Sequence, residues 1–179
     1  MLKKFVVIGL MVLSLALHGC VSGASGLKPY VDSIDGYQFL YPNGWISVKV
    51  PSGPDVVFRD LIQETENVSV VVSSIAGDKQ LTDLGDPDQV GQRLAQRVIA
   101  PPGSGRKAEL ISAIARQSGL KTYYDLEYAI KLANQERHNL ASVAVSRGKL
   151  YTLSVSAPEE RWPRVQNLFE QVVNSFSVY

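Results

Sequence analysis

The chain has 179 residues, with 18 lysines and arginines against 17 aspartates and glutamates, which gives a net charge of +1 at pH 7. A nearly neutral chain has no long-range field to attract nucleic acid or an anionic membrane surface, so neither kind of binding is expected. The sequence contains one cysteine and two histidines. This inventory excludes a disulfide within the chain and a zinc site made of several cysteine and histidine ligands.

The first twenty residues have the pattern of an export signal. Lys3 and Lys4 precede an apolar run at 5–17, which is followed by His18 and Cys20. A positive segment before a short apolar run is typical of a secretory signal, and this run is shorter than the ~20 residues that span a bilayer. The position of Cys20 resembles a bacterial lipobox, which predicts cleavage after residue 19 and acylation of the thiol, with palmitate as one acyl group.

An ordinary exported protein with an incidental cysteine is the alternative, and His18 departs from the small or aliphatic residue that is usual before the cysteine. The sequence therefore predicts a signal peptide at 1–19 and a flexible tether rich in serine and glycine at 20–29. Residues 30–179 are predicted to form one monomeric domain, because this length is sufficient for a single hydrophobic core.

Period-2 alternation predicts a mostly antiparallel sheet of about six strands. The runs with strand character are 37–41, 45–50, 56–58, 68–75, 121–132, 140–146 and 150–156. The strand at 121–132 has large apolar residues at every second position, which predicts one buried face. Arg147 and Gly148 form a tight turn between the last two strands, because glycine accepts a positive φ.

Two helices are predicted, at 83–100 and near the end of the chain. Asp86 is the expected cap of the first helix, and its predicted buried stripe consists of Val90, Leu94 and Val98. Ser156 and Glu159 have the spacing of a capping box for the second helix. The apolar positions of that helix recur at three- and four-residue steps: Trp162, Val165, Leu168, Phe169, Val172, Val173 and Phe176.

The segment 106–117 fits both a helix and a strand, and we interpret it as a strand because the long strand after it needs a partner. The predicted fold is α+β, with an antiparallel sheet flanked by helices.

The sequence predicts no catalytic residue, no required cofactor and no enzyme activity. There is no Gly-x-Ser-x-Gly elbow, and the glycines at 103 and 105 lack the spacing and the preceding strand of a phosphate loop. No pair of carboxylates has a spacing that suggests acid–base catalysis.

One pair of residues is a candidate metal site. With Arg147 and Gly148 as a two-residue turn, His138 lies opposite Ala157, which brings Glu159 beside it. A histidine and a carboxylate at this distance form a hydrogen bond, or they bind a divalent ion such as zinc, manganese or calcium with water completing its shell. The hydrogen-bonded pair is the simpler interpretation.

Several blocks of the sequence together resemble the PsbP family, and most closely its cyanobacterial lipoprotein branch. The blocks are Gly36–Pro42 with Gly44-Trp45, Val57–Asp60, Asn67–Val70, Gly103–Arg106, Tyr123–Tyr128, Arg137–Leu140, Gly148–Thr152, Arg161-Trp162 and Ser175–Tyr179. They cover the chain from about Tyr30 to Tyr179. The resemblance implies an α/β/α sandwich on the lumenal side of the thylakoid membrane, associated peripherally with photosystem II.

Plant members of this family support the oxygen-evolving complex by retaining calcium and chloride, using a long N-terminal extension that is not found between Cys20 and the predicted domain. The resemblance therefore favours an assembly or repair factor that attends photosystem II reaction-centre intermediates. It also places His138 on a family histidine implicated in metal binding, with Glu159 where the family has aspartate. A membrane-tethered docking module without a photosynthetic role is the remaining alternative, and Arg137, Arg161 and Arg164 are candidate docking residues.

Overall fold

The computed structural model describes residues 26–179. The predicted signal peptide at 1–19, the predicted acylation site Cys20 and most of the predicted tether lie outside these residues. The first strand begins at Leu27, so residues 27–29, which the sequence interpretation gave to the tether, belong to the fold. Within the described residues, no helix has the length and apolar character needed to cross a membrane.

The larger of two sheets has seven antiparallel strands in the order β3-β4-β5-β9-β8-β7-β6. Their bounds are Ile46–Ser47 (β3), Val56–Arg59 (β4), Asn67–Ser74 (β5), Lys107–Ser118 (β6), Lys121–Lys131 (β7), Glu136–Ser146 (β8) and Lys149–Pro158 (β9). The smaller sheet has three strands in the order β1-β2-β10. Its strands are Leu27–Asp32 (β1), Tyr37–Pro42 (β2) and Ser177–Val178 (β10).

Two α-helices accompany the sheets, Pro87–Leu94 (α1) and Trp162–Asn174 (α2). Short 3₁₀ turns cover Leu81–Leu84 and Glu159–Arg161, and Ala95–Ile99 forms a π turn directly after α1. The predicted α+β fold is confirmed. Strands β1 and β10 were not predicted, because β1 begins within the segment assigned to the tether and β10 has only two residues, and the strand predicted at 45–50 is shortened to β3.

Each face of the larger sheet carries a buried hydrophobic core. One face packs against α2 and the smaller sheet, with Tyr151, Leu153, Phe169 and Phe176 among its buried residues. The other face packs against α1 and the turns around it. The expectation of a single buried face for β7 is therefore wrong: Tyr123, on the side taken as polar, is buried and contacts the ring of Phe176 edge-on.

The first helix is capped as predicted, because the Asp86 side chain accepts a hydrogen bond from the Gln89 backbone amide at 2.8 Å. In turn, the Gln89 side-chain oxygen accepts one from the Asp86 backbone amide at 3.3 Å. Its predicted buried stripe is only partly correct. Val90 is buried, whereas Val98 is 57% exposed. The π turn, in which the Ala100 amide reaches back to the Ala95 carbonyl at 2.8 Å, changes the helical period and rotates Val98 away from the core.

Strand β6 confirms the strand interpretation of 106–117. Its register shifts by one residue between Leu110 and Ser112, which is a β-bulge. Ala108 and Leu110 face the α1 core before the bulge, and Ala113 faces it afterwards. Because the bulge reverses the alternation within the strand, the sequence shows no single period.

The capping box predicted for the last helix is wrong. Ser156 lies inside β9, where its hydroxyl donates to the His138 carbonyl at 3.3 Å. Strand β9 continues to Pro158, and the α2 helix begins only after the 3₁₀ turn, at Trp162. The residue that caps α2 is Arg161, which makes no side-chain capping bond.

Tyr128 is expected to make stability fall at alkaline pH. This fully buried side chain donates a hydrogen bond to the Gly91 carbonyl at 3.0 Å, and burial raises the pKa of its phenol. Folded Tyr128 therefore keeps its proton where the unfolded chain releases it, above about pH 10. The free energy of unfolding falls as the pH rises through that value, because the unfolded state then binds fewer protons.

Tyr128→Phe tests this account. At pH 7 the variant should lose about 1–2 kcal/mol, because the buried hydrogen bond from the Tyr128 hydroxyl to the Gly91 carbonyl is lost. At pH 11 the gap between wild type and variant should narrow, since phenylalanine does not ionise. Urea denaturation at both pH values measures this, with Tyr179→Phe, at a half-exposed position, as the control. A gap that stays constant or widens would contradict the role of Tyr128.

Candidate functional site

The β8–β9 hairpin positions the candidate histidine. Arg147 and Gly148 both have positive φ, at 49° and 69°, which is the backbone of a two-residue hairpin turn. The turn sets the register, so Ser146 pairs with Lys149 and His138 pairs with Ala157. Both pairs agree with the register derived from the sequence.

His138 is held by a glutamate at each ring nitrogen. Its Nδ1 lies 3.0 Å from Glu159 Oε2, as the hairpin register predicts. Its Nε2 lies 2.7 Å from Glu127 Oε1, on the neighbouring strand β7. Sequence reasoning missed Glu127, because the register of β7 against β8 depends on a loop at 132–135 that has no diagnostic turn residue.

The ring of His138 also stacks on Trp162, the first residue of α2. The two ring centroids are 3.9 Å apart and the planes differ by 10°. Both side chains are buried. Stacking and hydrogen bonds together fix the position and orientation of the imidazole.

This arrangement hydrogen-bonds the imidazole between two carboxylates, and it offers few ligands to a metal ion. Carboxylates only accept hydrogen bonds, so both ring nitrogens donate when both contacts form, and the imidazole then bridges two acids. The glutamates lie at opposite ring edges and their oxygens do not converge. For an ion at Nδ1, the available protein ligands at this site are His138 and Glu159, while Glu127 would orient the ring through Nε2.

A polar network lies beside the histidine, on the same face of the larger sheet. Arg116 donates to both carboxylate oxygens of Asp125, at 2.6 and 3.3 Å, and the Ser142 hydroxyl donates to Asp125 Oδ1 at 2.6 Å. The Arg116 guanidinium also lies over the ring of Tyr123, 4.6 Å from its centroid. These residues pair across β6, β7 and β8 and were not identified from the sequence.

Three aspartates, Asp32, Asp35 and Asp55, bring carboxylate oxygens within 4.8 Å of one another. Two of these aspartates are paired with other side chains. Lys149 Nζ lies 2.6 Å from Asp35 Oδ1, and the Tyr37 hydroxyl donates to Asp55. The hydrogen bond to Asp35 raises the pKa of Lys149. These bonds hold the loop between β1 and β2 against the β8–β9 turn.

The three arginines suggested for docking differ in their environments. Arg137 donates to the Ser156 hydroxyl at 2.9 Å and to the Thr65 carbonyl, and burial lowers the pKa of its guanidinium. Arg161 pairs with the buried Glu66. Arg164 is exposed. Arg137 and Arg161 therefore tie parts of the fold together, and the docking role suggested for the three arginines stays a prediction.

The fold and the site together define a class of protein: an α+β domain with an antiparallel sheet covered on both faces, and a buried histidine held between two glutamates. The chain belongs to the PsbP family, since the family model described as PsbP matches residues 25–178.

Two curated relatives match over their full length. The chain is 54% identical to CyanoP of Thermosynechococcus vestitus over 184 residues, and 48% identical to CyanoP of Synechocystis sp. over 188 residues, with all of each chain covered. The structure is also similar to the solution structure of CyanoP from Synechocystis sp. PCC 6803, with a TM-score of 0.75 at 48% identity. That comparison covers 92% of this chain and 99% of the other.

Proposed function

We propose that this protein is a lipid-anchored accessory factor of photosystem II that works on the lumenal side of the thylakoid membrane. In this proposal it assists assembly or repair by binding reaction-centre intermediates and catalyses no reaction. The observation that carries the proposal is the match to CyanoP over the whole chain, within a family of photosystem II-related lumenal proteins.

The proposed anchor is an acyl group on Cys20. This residue follows the apolar run of the signal and precedes the first strand, which begins at Leu27, by only six residues. Six residues of extended chain reach at most about 20 Å, so an anchored domain stays close to the membrane surface. The lipid then supplies the membrane affinity that the nearly neutral chain lacks.

Affinity capture from solubilised thylakoids tests this function. A tagged chain should recover reaction-centre assembly intermediates in preference to completed photosystem II. Cys20→Ser, which removes the acylated thiol and leaves the described fold unchanged, should release the protein from washed membranes and lower the recovery. Capture of no photosystem II subunit by the anchored chain would overturn the proposal.

Metal binding at His138 and Glu159 is a second candidate function. The observation that favours it is the Glu127 contact at Nε2, because a histidine ligand usually donates its other ring nitrogen to a carboxylate. Glu159 is 45% exposed at its side chain, so this side of the ring is open to an ion from solvent. A metal ion bound at a site of this kind would stabilise the fold around His138 and would not supply catalysis.

Calorimetric titration with zinc, manganese and calcium tests the metal site. If it binds one of them, His138→Ala and Glu159→Ala should abolish the heat of binding. Glu127→Gln should weaken the affinity by about tenfold, as second-shell carboxylates do. Glu136→Gln, on the same strand and paired with Lys131, is the control and should bind as the wild type does. Heat that is unaffected by His138→Ala would exclude this site.

A further inference from the structure

A cavity of about 550 Å³ lies on the α1 face of the larger sheet, on the opposite side from His138. Its floor is formed by β5, β9 and β8, and its wall by the end of α1 and the π turn that follows. Ligand pockets usually have volumes of ~300–1,000 Å³. The cavity therefore has room for an organic molecule of moderate size.

The floor of this cavity is polar, and most of the side chains that form it are partly exposed. Alternation sends Val68 and Val70 of β5 into the α2 core, so Asn67 and Ser69 face the cavity. The same alternation in β9 gives the cavity Thr152, Ser154 and Ser156. Hydroxyl and amide groups therefore line a part of this sheet face that stays partly open to solvent.

Asn139 supplies a buried acceptor in this floor. Its residue surface is only 6% exposed, and its Nδ2 donates to the Ser154 hydroxyl at 2.7 Å. Its Oδ1 has no hydrogen-bond partner among residues 26–179. This oxygen is enclosed by the surrounding protein atoms, so a ligand in the cavity meets Asn139 only through the rest of its side chain.

The wall of the cavity is apolar and is shaped by the π turn. Leu94, Val98 and Ile99 line it from the helical side. Val98 is exposed because the π turn rotates it out of the α1 core, and that rotation brings it to the cavity. π turns within helices are frequent at functional sites.

The charge of the cavity is positive. Arg106 and Arg137 are among its lining residues, which include no aspartate or glutamate. Arg137 is partly desolvated, since burial lowers the pKa of its guanidinium. An anionic group beside it would favour the charged form of the arginine and offset that desolvation.

We propose that this cavity is a binding site for a small amphipathic organic anion. The anionic group faces Arg106 and Arg137, and an apolar ring or chain packs on the wall at Val98. The site is separate from His138, and the inference does not rest on a role in photosystem II.

The probe for this site is 1-anilinonaphthalene-8-sulfonate, which combines aromatic rings, an N–H donor and a sulfonate. Residues 26–179 contain both hydrophobic cores, and the solved CyanoP domain matches 92% of the chain, so this part folds on its own and is used for titration. Fluorescence gives the affinity, and NMR chemical-shift changes give the location. The shifts should include the Asn139 side-chain amide and the backbone amides of the π turn.

Val98→Glu places a like charge beside the sulfonate at an already exposed position, and should weaken probe binding by about tenfold or more. Ile114→Glu, a matched change at a 59% exposed residue of β6 outside the cavity, should alter it by less than about twofold.

The uncharged analogue N-phenyl-1-naphthylamine keeps the rings and the N–H group, and should bind about tenfold more weakly. Equal affinity for the two probes would overturn the assignment to an anion. Shift changes confined to other surfaces, or unchanged binding by Val98→Glu, would overturn the site itself. Because Val98 is exposed, Val98→Glu should fold as the wild type does, so unchanged probe binding by this variant bears on the site alone.

Discussion

Replacing Trp162 by alanine should lower the free energy of unfolding by about 3–5 kcal/mol, which is the usual cost of truncating a large buried aromatic residue. Trp162 is 7% exposed, it stacks on His138, and it meets Phe169 edge-on with ring centroids 6.1 Å apart. Truncation leaves a cavity at the point where α2 begins and removes one wall of the histidine site. Both effects act in the same direction.

Urea denaturation followed by far-ultraviolet circular dichroism measures this loss, because tryptophan fluorescence itself changes with the substitution. Trp162→Phe keeps an aromatic surface against His138 and should lose at most half as much. His138→Ala should also lose less than Trp162→Ala, since the histidine contributes less apolar area. A loss below about 1 kcal/mol for Trp162→Ala would show that α2 does not depend on this contact.

Arg116→Met should lower the free energy of unfolding by about 2–3 kcal/mol. The side chain of Asp125 is only 13% exposed, and it loses its cation while retaining the hydrogen bond from Ser142. Removing one partner of a fully buried pair costs ~3–5 kcal/mol, and the partial exposure of both side chains reduces that figure. The lost contact between the guanidinium and Tyr123 contributes to the effect.

A double-mutant cycle with Asp125→Asn separates the charge from the packing. Asp125→Asn combined with Arg116→Met should recover about half of the loss, because no unpaired carboxylate then remains. Guanidinium denaturation screens charges, so urea at constant low salt is the appropriate measurement. If the two single changes are simply additive, Arg116 and Asp125 do not stabilise the fold as a pair.

The sequence predicted those parts of the site that a short hairpin determines. The Arg147-Gly148 turn sets the register of β8 against β9, so the opposition of His138 and Ala157 follows from counting. Glu127 was missed because its distance from His138 depends on the register of β7 against β8. The loop at 132–135 sets that register, and its residue types do not show where each strand ends. Trp162 was predicted as a core residue of the last helix, but its stacking on His138 requires the tertiary fold.

Three features of the fold lay beyond sequence patterns for physical reasons. The bulge in β6 reverses its alternation between Leu110 and Ser112, so neither period describes the whole strand. The π turn breaks the 3.6-residue period just before Val98, which is therefore exposed. Ser156 has the chemistry of a helix cap, but the ladder of β9 with β8 extends through it and satisfies its backbone instead.

The pairing of β10 with β2 has a consequence for how the protein is made. Val178 lies opposite Tyr37, and its amide also donates a hydrogen bond to the Tyr123 hydroxyl oxygen at 3.1 Å. Segments from the two ends of the described chain must therefore meet before the smaller sheet is complete, which makes this a late, non-local folding step. For a polypeptide that is exported as we propose, the smaller sheet is completed only after residues up to Val178 have crossed the bilayer.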